Sequence, residues 1–484
     1  MELARITERI DIIKTDGDLR RDIVVVTSDS REVVPGSLFV AVKGFSSDGH
    51  SFIGKAVEKG AAAIIYEEGE YVIEGVTTVK VSSSRKALAL AAAAFYGHPS
   101  EKLSLVGITG TNGKTTTVTL LYNMFMELGY NCGLLSTIAN YVGRKRSETA
   151  NTTADPVTIN RLLAEMVREG CEYCFMEVSS IGVEQDRVAG LRFRVGIFSN
   201  LTHDHLDYHK TFAEYLRCKK LFFDNLPKDA VAIINVDDRN GEVMVQNCKA
   251  RTVSYSCRAA ADHSCRILEQ GYDGMLLRID GHETWTRLIG AHNAYNLLAI
   301  YTTAVVLGTG EEEALVAISR LGSAPGRLEA IRGPRNLTAV IDYAHTPDAL
   351  ENVLKTLRDV APGEQLVCLF GCGGDRDSTK RPEMAAVAEK YADRIIITSD
   401  NSRSERTEDI IEDIRKGLSS EGLAKTISIP DRKEAIRTAI LTASDGAAIL
   451  LAGKGHENYQ IIGSEKRHFD EKEIVNEIFS QIRA

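Results

Sequence analysis

The chain has 484 residues, too many for a single hydrophobic core, and this length suggests about three domains. Its 44% hydrophobic and 26% charged residues are typical of a soluble globular protein. The net charge of −9 argues against a protein that coats nucleic acid, because that function needs a basic surface.

The same sequence predicts the compartment. No apolar stretch reaches the roughly 20 residues that a membrane span needs, and residues 1–9 lack the apolar core of a signal peptide. The nine cysteines follow no disulfide or zinc framework, so we interpret the Cys171 and Cys174 pair as core thiols. We therefore expect a cytoplasmic protein with neither a nucleic-acid partner nor a membrane partner.

Residues 1–101 are predicted to form a first α/β domain. Short β-rich runs lie at 22–27, 37–42 and 61–66, and a helix is predicted over 51–59. An alanine-rich helix over 87–96 then ends at the Gly-His-Pro-Ser segment 97–100. That break marks the boundary with the next domain.

Residues 102–325 are predicted to form a central domain. A buried strand at 104–108 leads into a glycine-rich loop and then a helix over 115–128, which Gly129 ends. Further apolar strands are predicted at 173–178, 195–199 and 230–235. The alternation of strands with helical segments indicates a mostly parallel sheet.

Residues 326–484 are predicted to form a third, Rossmann-like α/β domain. The predicted strands lie at 338–342, 365–370, 394–399 and 447–452, and helices begin near Thr346, Arg381, Thr407 and Asp431. In such a sheet, ligands bind outside the carboxyl ends of the strands.

The glycine-rich loop at 107–116 reads Gly-Ile-Thr-Gly-Thr-Asn-Gly-Lys-Thr-Thr, and its place between strand and helix is typical of a phosphate-binding loop. Backbone N–H groups and the helix N-terminus would bind the phosphates of ATP or GTP. Lys114 would reach the β and γ phosphates, and Thr115 would bind Mg²⁺. The glycine spacing departs slightly from the commonest form.

Acidic and histidine residues follow two of the central strands. Glu177 ends the strand at 173–178 and is a candidate Mg²⁺ ligand. Residues 200–209 contain three histidines and two aspartates, a density that also suits a transition metal. The neighbouring nucleotide loop favours Mg²⁺. For His203 and His209, a role as ordinary polar loop residues stays open.

Further motifs lie in all three predicted domains. They occupy residues 29–31, 36–41 and 44–49, residues 290–296, and residues 326–327, 342–348 and 400–405. Together with the phosphate loop they resemble the Mur ligases over essentially the whole chain, and folylpolyglutamate synthases share the loop and the overall plan. The resemblance implies a three-domain α/β enzyme that uses ATP and Mg²⁺ to extend a peptidoglycan precursor.

The resemblance also implies binding residues. For the UDP-N-acetylmuramoyl-dipeptide these are Ser28, Ser30, Phe45, Ser46, Ser47, Asn151, Thr152, Thr153, Ser179, Gln185 and Arg187. For ATP they are Gly110, Thr111, Asn112, Gly113, Lys114, Thr115, Thr116, Asn293, Arg327 and Asp342. For Mg²⁺ they are Thr115, Glu177, His205 and Lys219, the last as a carbamate, and Lys114, Glu177, His205 and Lys219 are the implied catalytic residues.

The incoming amino acid is expected to bind in the third domain. The implied contacts are Arg381, Asp400, Asn401, Ser402, Arg403, Gly453 and Glu457. Arg403 suits the distal carboxylate of diaminopimelate, because guanidinium binds carboxylate bidentately, and lysine-adding relatives usually lack this arginine. Glu457 would hold the distal ammonium.

Two positions depart from the family pattern. Ser402 stands where diaminopimelate-adding relatives have proline, so the loop backbone loses a restraint and we expect Arg403 to be less firmly held. Ile181 stands where relatives often have histidine, so no histidine is required there.

The resemblance therefore implies a monomeric ligase that adds meso-diaminopimelate to UDP-N-acetylmuramoyl-L-alanyl-D-glutamate. The alternatives are the same reaction with L-lysine, a folylpolyglutamate-type ligase, and, in a different class, a phosphate-loop switch or motor that hydrolyses nucleotide to move a partner.

Overall fold

The structure is a computed structural model that describes residues 1–44, 47–202 and 206–482. The chain forms two compact units, Met1–Ser264 with Ala299–Gly310, and Cys265–Leu298 with Glu311–Ala484. Within the described part of the chain, no helix is long and apolar enough to cross a membrane. The predicted domain boundaries after residues 101 and 325 stay predictions.

The first sheet of the first unit has five strands in the order β1-β5-β4-β3-β2, all parallel except β1. Its elements are α1 (Leu3–Thr7), β1 (Ile12–Asp16), β2 (Val25–Thr27), β3 (Ser37–Val40), α2 (Ile53–Glu58), β4 (Ala63–Tyr66), β5 (Thr77–Val81) and α3 (Ser84–Phe95), with 3₁₀ turns at Gly49–Phe52 and Pro99–Glu101. The three predicted strands are confirmed. The side chains of β3 and β4 are buried throughout, as expected for parallel strands covered on both faces.

The central sheet of the first unit has the parallel order β13-β12-β11-β6-β10-β7, and β8 and β9 extend it antiparallel at the β7 edge. Its elements are β6 (Ser104–Thr109), α4 (Lys114–Glu127), β7 (Cys132–Leu135), β8 (Asn140–Val142), β9 (Lys145–Ser147), α5 (Pro156–Arg168), β10 (Tyr173–Glu177), α6 (Ser180–Glu184), β11 (Phe193–Phe198), α7 (Leu206–His209), α8 (Phe212–Asp224), β12 (Val231–Asn235), α9 (Gly241–Met244) and β13 (Arg251–Ser256). The predicted mostly parallel sheet is confirmed, and the antiparallel strands were not foreseen.

Strand β6 lies between β10 and β11, and this order positions the candidate site. Ile108 pairs with Glu177, and Thr109 pairs with Phe198. Because the three strands are parallel, the residues that follow them meet at one edge of the sheet.

The second unit contains three antiparallel strands and a second α/β sheet, and the helix Ala291–Leu307 belongs to this unit only up to Leu298. The elements from β14 onward are β14 (His263–Gly271), β15 (Gly274–Ile279), β16 (His282–Thr286), α10 (Ala291–Leu307), α11 (Glu311–Arg320), β17 (Glu329–Arg332), β18 (Thr338–Asp342), α12 (Pro347–Val360), β19 (Leu366–Phe370), α13 (Lys380–Tyr391), β20 (Arg394–Ile397), α14 (Thr407–Arg415), α15 (Ser420–Ala424), β21 (Thr426–Ser428), α16 (Arg432–Thr442), β22 (Ala448–Ala452), β23 (Tyr459–Ile462), β24 (Glu465–His468) and α17 (Glu471–Gln481), with a 3₁₀ turn at Pro334–Asn336.

This second sheet has the order β17-β18-β22-β19-β20-β21, and only β17 is antiparallel. All four predicted strands and all four predicted helix starts are confirmed within about two residues. Thr346 and Asp431 cap their helices, accepting hydrogen bonds from Ala349 and Glu434. Apolar clusters cover both faces of the sheet, which therefore presents its carboxyl edge for binding.

Candidate active site

The phosphate loop follows β6 and requires glycine at two positions. Gly110 has φ of +154° and Gly113 has φ of +86°. A Cβ on Gly110 would lie 2.0 Å from Ser199 Oγ, which leaves no room for a side chain. Helix α4 then begins at Lys114, so its free N–H groups point at the loop, where an anion would be stabilised.

The end of β11 holds the loop in place. Asn200 accepts two hydrogen bonds from the loop, at its carbonyl from Thr111 N (2.8 Å) and at Oδ1 from Asn112 N (2.9 Å). Ser199 Oγ donates to the Asn112 carbonyl at 2.7 Å. Sequence analysis did not identify Ser199 or Asn200 as site residues, although Asn200 opens the histidine-rich segment that we singled out.

Two lysines converge on the loop. Lys114 Nζ donates to the carbonyls of Gly110 (2.9 Å) and Thr111 (2.8 Å). Lys219 on α8 is only 1% exposed, and its Nζ donates to the same Gly110 carbonyl at 2.8 Å. The structure thus places Lys219 at the loop, whereas Lys220 forms a helical ion pair with Asp224 at 2.6 Å.

Tyr215, one turn before Lys219 on α8, is a loop contact that the sequence did not reveal. Its hydroxyl lies 3.1 Å from Thr111 Oγ1, and Lys219 Nζ lies 4.6 Å from the centroid of its ring. Its spacing of four residues from Lys219 puts both side chains on one helix face. That spacing is the only signal that could have identified it.

Glu177 is buried at the end of β10, and one of its two carboxylate oxygens is hydrogen-bonded. Oε1 accepts a hydrogen bond from Thr137 N at 2.8 Å, while Oε2 has no hydrogen-bond partner among the described residues. A buried oxygen without a partner is costly, and a divalent cation would offset that cost. Thr115 offers a second oxygen at the start of α4, so this donor set fits Mg²⁺.

The histidine-rich segment lies partly outside the described residues, which exclude His203, Asp204 and His205. Within the described part of the chain, no group of three or more metal-binding side chains forms a site. His209 is buried, and its Nε2 lies 2.8 Å from Ser180 Oγ. His209 thus helps to hold α6, and the role of His205 stays a prediction.

Four of the residues predicted to bind the muramoyl-dipeptide form one network beside Glu177. Thr153 Oγ1 donates to the Glu177 carbonyl at 3.0 Å and accepts from Ser179 N at 2.9 Å. Arg187 donates to the Thr153 carbonyl at 2.7 Å and to Gln185 Oε1 at 2.8 Å. The network fixes the carboxyl end of β10 and the start of α6.

The other two predicted contacts from this segment lie at its edge. Thr152 Oγ1 accepts a hydrogen bond from Thr137 Oγ1 at 3.1 Å, so it adjoins the residue whose N–H binds Glu177. Asn151 is exposed.

The predicted nucleotide-sugar residues follow β2 and β3, neighbouring parallel strands of the first sheet. Ser28 is exposed and Ser30 is buried, and between them Asp29 forms an ion pair with Arg31 at 2.6 Å. That hydrogen bonding lowers the pKa of Asp29. The Ser47 carbonyl accepts from Gly44 N at 2.9 Å, closing a turn. Phe45 and Ser46 lie outside the described residues.

In the second unit, Asn293 is buried near the start of α10. Its Nδ2 donates to the Ile289 carbonyl at 2.9 Å, and its Oδ1 accepts from Asn296 Nδ2 at 3.0 Å. Both halves of the amide are thus held in a fixed orientation.

Asp342 ends β18 and organises the segment that contains Arg327. Its carboxylate accepts hydrogen bonds from Leu328 N and Ala344 N, both at 2.8 Å, and burial raises its pKa. The buried Nε of Arg327 has no hydrogen-bond partner among the described residues, and its guanidinium lies 5.3 Å from the centroid of the Tyr343 ring. A guanidinium with unused donors suits a phosphate.

The predicted amino-acid contacts gather at the ends of β20 and β22. Asn401 Nδ2 donates to Glu457 Oε2 at 3.0 Å. Lys454, fully buried, lies within 3.3 Å of Asn401 Oδ1 and of Glu457 Oε2, and 3.5 Å from Asp400 Oδ1. Sequence analysis missed Lys454, although it stands between the predicted residues Gly453 and Glu457.

Arg403 sits in the same group with its backbone held on both sides. Its N–H donates to the Ile461 carbonyl at 3.2 Å, and its carbonyl accepts from Gly463 N at 2.8 Å. Nη1 donates to the Gly374 carbonyl at 2.8 Å. These hydrogen bonds hold Arg403 on both sides, and the expectation that Ser402 holds it less firmly than proline would stays a prediction.

Arg381 is almost fully buried and already bound to two carboxylates. It donates to Glu405 Oε1 and Oε2, each at 2.9 Å, and to Asp413 Oδ2 at 2.9 Å. Burial and these ion pairs fix Arg381 below the Arg403 loop. Its direct contact with the amino acid stays a prediction.

Comparison with known proteins assigns the family. The Mur ligase family catalytic domain matches residues 22–96, the Mur ligase middle domain matches 108–304, and the Mur ligase glutamate ligase domain matches 326–455. The chain belongs to the Mur ligase family. The three matched segments agree with the predicted three-domain α/β fold.

Individual relatives match this Mur ligase over almost its whole length. A UDP-N-acetylmuramoyl-L-alanyl-D-glutamate–2,6-diaminopimelate ligase from Bacteroides fragilis is 52% identical over 482 residues, covering 99% of each chain. A solved structure of a ligase with that name is 30% identical, with a TM-score of 0.74 and 99% coverage of each chain. MurF ligase from Thermotoga maritima in complex with ADP has a TM-score of 0.61 at 19% identity, covering 96% of this chain and 99% of that chain, and shows the shared fold.

Proposed function

We propose that this Mur ligase is an ATP-dependent enzyme that adds meso-diaminopimelate to UDP-N-acetylmuramoyl-L-alanyl-D-glutamate. The observation that carries the proposal is the 52% identity, over 99% of both chains, to a ligase named for that acid and diaminopimelate. Arg403, held at the edge of the second α/β sheet, supports the choice of an amino acid with a distal carboxylate.

The first step forms an acyl phosphate. An oxygen of the D-glutamate side-chain carboxylate attacks the γ-phosphorus of ATP, and the bond to ADP breaks. Lys114, together with the N–H groups at the start of α4, offsets the charge that develops on the phosphate oxygens. Bound Mg²⁺ supplies further positive charge, and Glu177, Thr115 and His205 are the residues that would hold it.

The second step forms the amide. The neutral amine of the incoming amino acid attacks the acyl carbon, and the tetrahedral intermediate releases phosphate and a proton. Asp400 and Glu457 would orient the amino acid, while Thr153 and Arg187 would orient the dipeptide. No residue of the chain acts as a covalent nucleophile.

Lys219 would act as a carbamate. Its neutral amine attacks CO₂ and loses a proton, so an ammonium becomes an anion that resembles a carboxylate. Its burial beside the Gly110 carbonyl supports this role, because burial disfavours the ammonium form and an anion at this position would suit a metal ion.

The remaining parts of the proposal concern organisation. We propose domains at 1–101, 102–325 and 326–484 that bind the nucleotide-sugar, ATP and the amino acid in that order. We also propose a cytoplasmic monomer, because all the substrates are small molecules and the predicted site residues come from one chain.

The proposal is tested by ligation with several amino acids side by side. The purified protein is incubated with ATP, UDP-N-acetylmuramoyl-L-alanyl-D-glutamate and one of three amino acids: meso-diaminopimelate, LL-diaminopimelate or L-lysine. The products are identified by mass spectrometry. We expect the meso-diaminopimelate product, with ADP and phosphate released in equal amounts. Preference for lysine would overturn the amino-acid choice.

Two further reactions distinguish the other classes. Ligation of glutamate to a folate, with no use of the muramoyl-dipeptide, would indicate a folylpolyglutamate-type enzyme. Phosphate release that needs neither the dipeptide nor an amine would indicate a nucleotide-driven switch. We expect neither.

A further inference from the structure

Arg432, the first residue of α16, is fully buried, and its guanidinium donates hydrogen bonds to three oxygen atoms. Nη1 donates to the Ser399 carbonyl at 3.0 Å, and Nη2 donates to the Ala452 carbonyl at 2.8 Å. Nε donates to Glu471 Oε1 at 2.8 Å, and the side chains of Arg432 and Glu471 are both 0% exposed. One side chain thus joins three separate segments of the second unit.

The two carbonyls that Arg432 binds belong to residues that directly precede the predicted amino-acid contacts. Ser399 directly precedes the segment 400–403, which contains Asp400 and Arg403. Ala452 ends β22 and directly precedes Gly453 and Lys454. The guanidinium therefore ties together the backbone of the two segments that supply the predicted amino-acid contacts.

These two segments approach closely enough that their spacing matters. Gly453 has φ of +113°, and a Cβ at this position would lie 2.9 Å from Asp400 Oδ2. Lys454 Nζ reaches across the same gap to Asp400 Oδ1 at 3.5 Å. A small relative shift of the two segments would break these contacts and move the carboxylates that face the amino acid.

We propose that Arg432, held by Glu471, is a positioning residue that sets the spacing of the two amino-acid-binding segments and so determines affinity for the incoming amino acid. The inference rests on the proposed function, since it assigns these segments to the amino-acid site. Arg432 itself touches no substrate. Its planar fork reaches two carbonyls and a carboxylate with three separate nitrogens, whereas lysine has a single nitrogen that cannot occupy all three places.

A buried ion pair is weak evidence for a role in stability. Replacing both partners with apolar residues of similar volume is often neutral, whereas removing one partner leaves an uncompensated buried charge. The double variant Arg432→Met/Glu471→Met therefore removes the two carbonyl bonds without leaving a buried charge. The single variant Arg432→Lys keeps the charge pair but cannot hold both carbonyls.

The second unit also provides a control with the same kinds of bond, although its side chains are more exposed, at 26% for Arg358 and 48% for Asp393. Arg358 donates to the carbonyls of Tyr391 (2.7 Å) and Glu364 (2.8 Å) and pairs with Asp393 at 2.7 Å. It thus makes the same three kinds of bond, but next to the amino ends of β19 and β20, at the opposite edge of the sheet. The control variant is Arg358→Met/Asp393→Met.

The experiment measures KM and kcat for all three substrates with the full chain, after thermal unfolding has shown that each variant is folded. We expect Arg432→Met/Glu471→Met and Arg432→Lys to raise KM for diaminopimelate about tenfold or more. KM for ATP and for the UDP-dipeptide should change less than about twofold, as should every constant of the control.

Other results would overturn the inference. An unchanged KM for the amino acid in a folded Arg432 variant would do so, and so would equal increases in KM for all three substrates, which a merely structural role predicts. If the double variant does not fold, Arg432→Lys decides by the same criterion. If the wild type ligates another amino acid, the proposed function is wrong. The role of Arg432 is then tested by the same variants, with KM measured for that amino acid.

Discussion

Lys219 Nζ and the Gly110 carbonyl oxygen lie 2.8 Å apart, although 109 residues separate them along the chain. The same oxygen accepts a hydrogen bond from Lys114 Nζ at 2.9 Å. The phosphate loop therefore receives one lysine from its own helix and a second from α8. We propose that the first lysine binds phosphate and that the second, as a carbamate, binds metal.

Replacement of Lys219 with alanine tests the carbamate. We expect Lys219→Ala to be nearly inactive and to regain part of its activity with added formate, because a small carboxylate supplies the missing anion. The measurement is phosphate release that depends on the amino acid, with and without formate. Lys220→Ala is the matched control and should keep its activity, since Lys220 pairs with Asp224 away from the loop. Full activity of Lys219→Ala would exclude the role.

Replacement of Lys114 with alanine tests the phosphate loop. The variant should lose phosphate release that depends on the dipeptide and the amino acid by about a hundredfold or more, because the developing phosphate charge loses a fixed cation. Lys249→Ala, an exposed lysine of the same unit, should match the wild type. Near-normal turnover of Lys114→Ala would refute the assignment of the loop.

Because only one oxygen of the Glu177 carboxylate has a hydrogen-bond partner among the described residues, we expect Glu177 to affect the Mg²⁺ requirement. Glu177→Gln keeps an acceptor for Thr137 N but removes the charge, so more Mg²⁺ should be needed for half-maximal phosphate release. Without Mg²⁺ the variant should unfold at a slightly higher temperature, because the wild type buries an oxygen that lacks a partner in the described structure. Glu172→Gln, next to the opposite end of the same strand, is the control, and an identical Mg²⁺ requirement in both variants would count against the site.

Arg403 predicts the specificity for the amino acid. Arg403→Ala should raise KM for diaminopimelate far more than KM for ATP, because we propose that, among the substrates, the guanidinium binds only the distal carboxylate of diaminopimelate. Arg406→Ala is a suitable control, since Arg406 is exposed and its ion pair with Glu408 is long, at 3.9 Å. Equal increases in both KM values would argue against selection through Arg403.

The sequence predicted those strands and helix starts whose signals lie within a few neighbouring residues. Buried strands such as β6 and β18 are continuous apolar runs, and the starts of α12 and α16 follow capping residues, so their positions could be predicted. The short antiparallel pair β8 and β9 was missed, because Asn140–Val142 and Lys145–Ser147 are too short and polar to show a strand period.

The candidate site was predicted where a motif or a resemblance named the residue. Thr153, Gln185 and Arg187, which the resemblance named as dipeptide contacts, lie in one hydrogen-bonded network, and their contact with the dipeptide stays a prediction. Tyr215, Lys454 and Arg432 were missed because their contacts join segments far apart in the sequence. The helical spacing of Tyr215 from Lys219 and the place of Lys454 between Gly453 and Glu457 were the only local signals. The backbone hydrogen bonds of Arg403 were also missed, because its partners Ile461 and Gly463 are about sixty residues away in the sequence.

An oxygen label tests whether ATP, bound at the phosphate loop, phosphorylates the carboxylate of the dipeptide. The D-glutamate side-chain carboxylate is labelled with ¹⁸O, and the phosphate released during ligation of diaminopimelate is analysed by mass spectrometry. An acyl phosphate predicts that each phosphate released carries one oxygen from the carboxylate. Amide product accompanied by phosphate without the label would contradict the account.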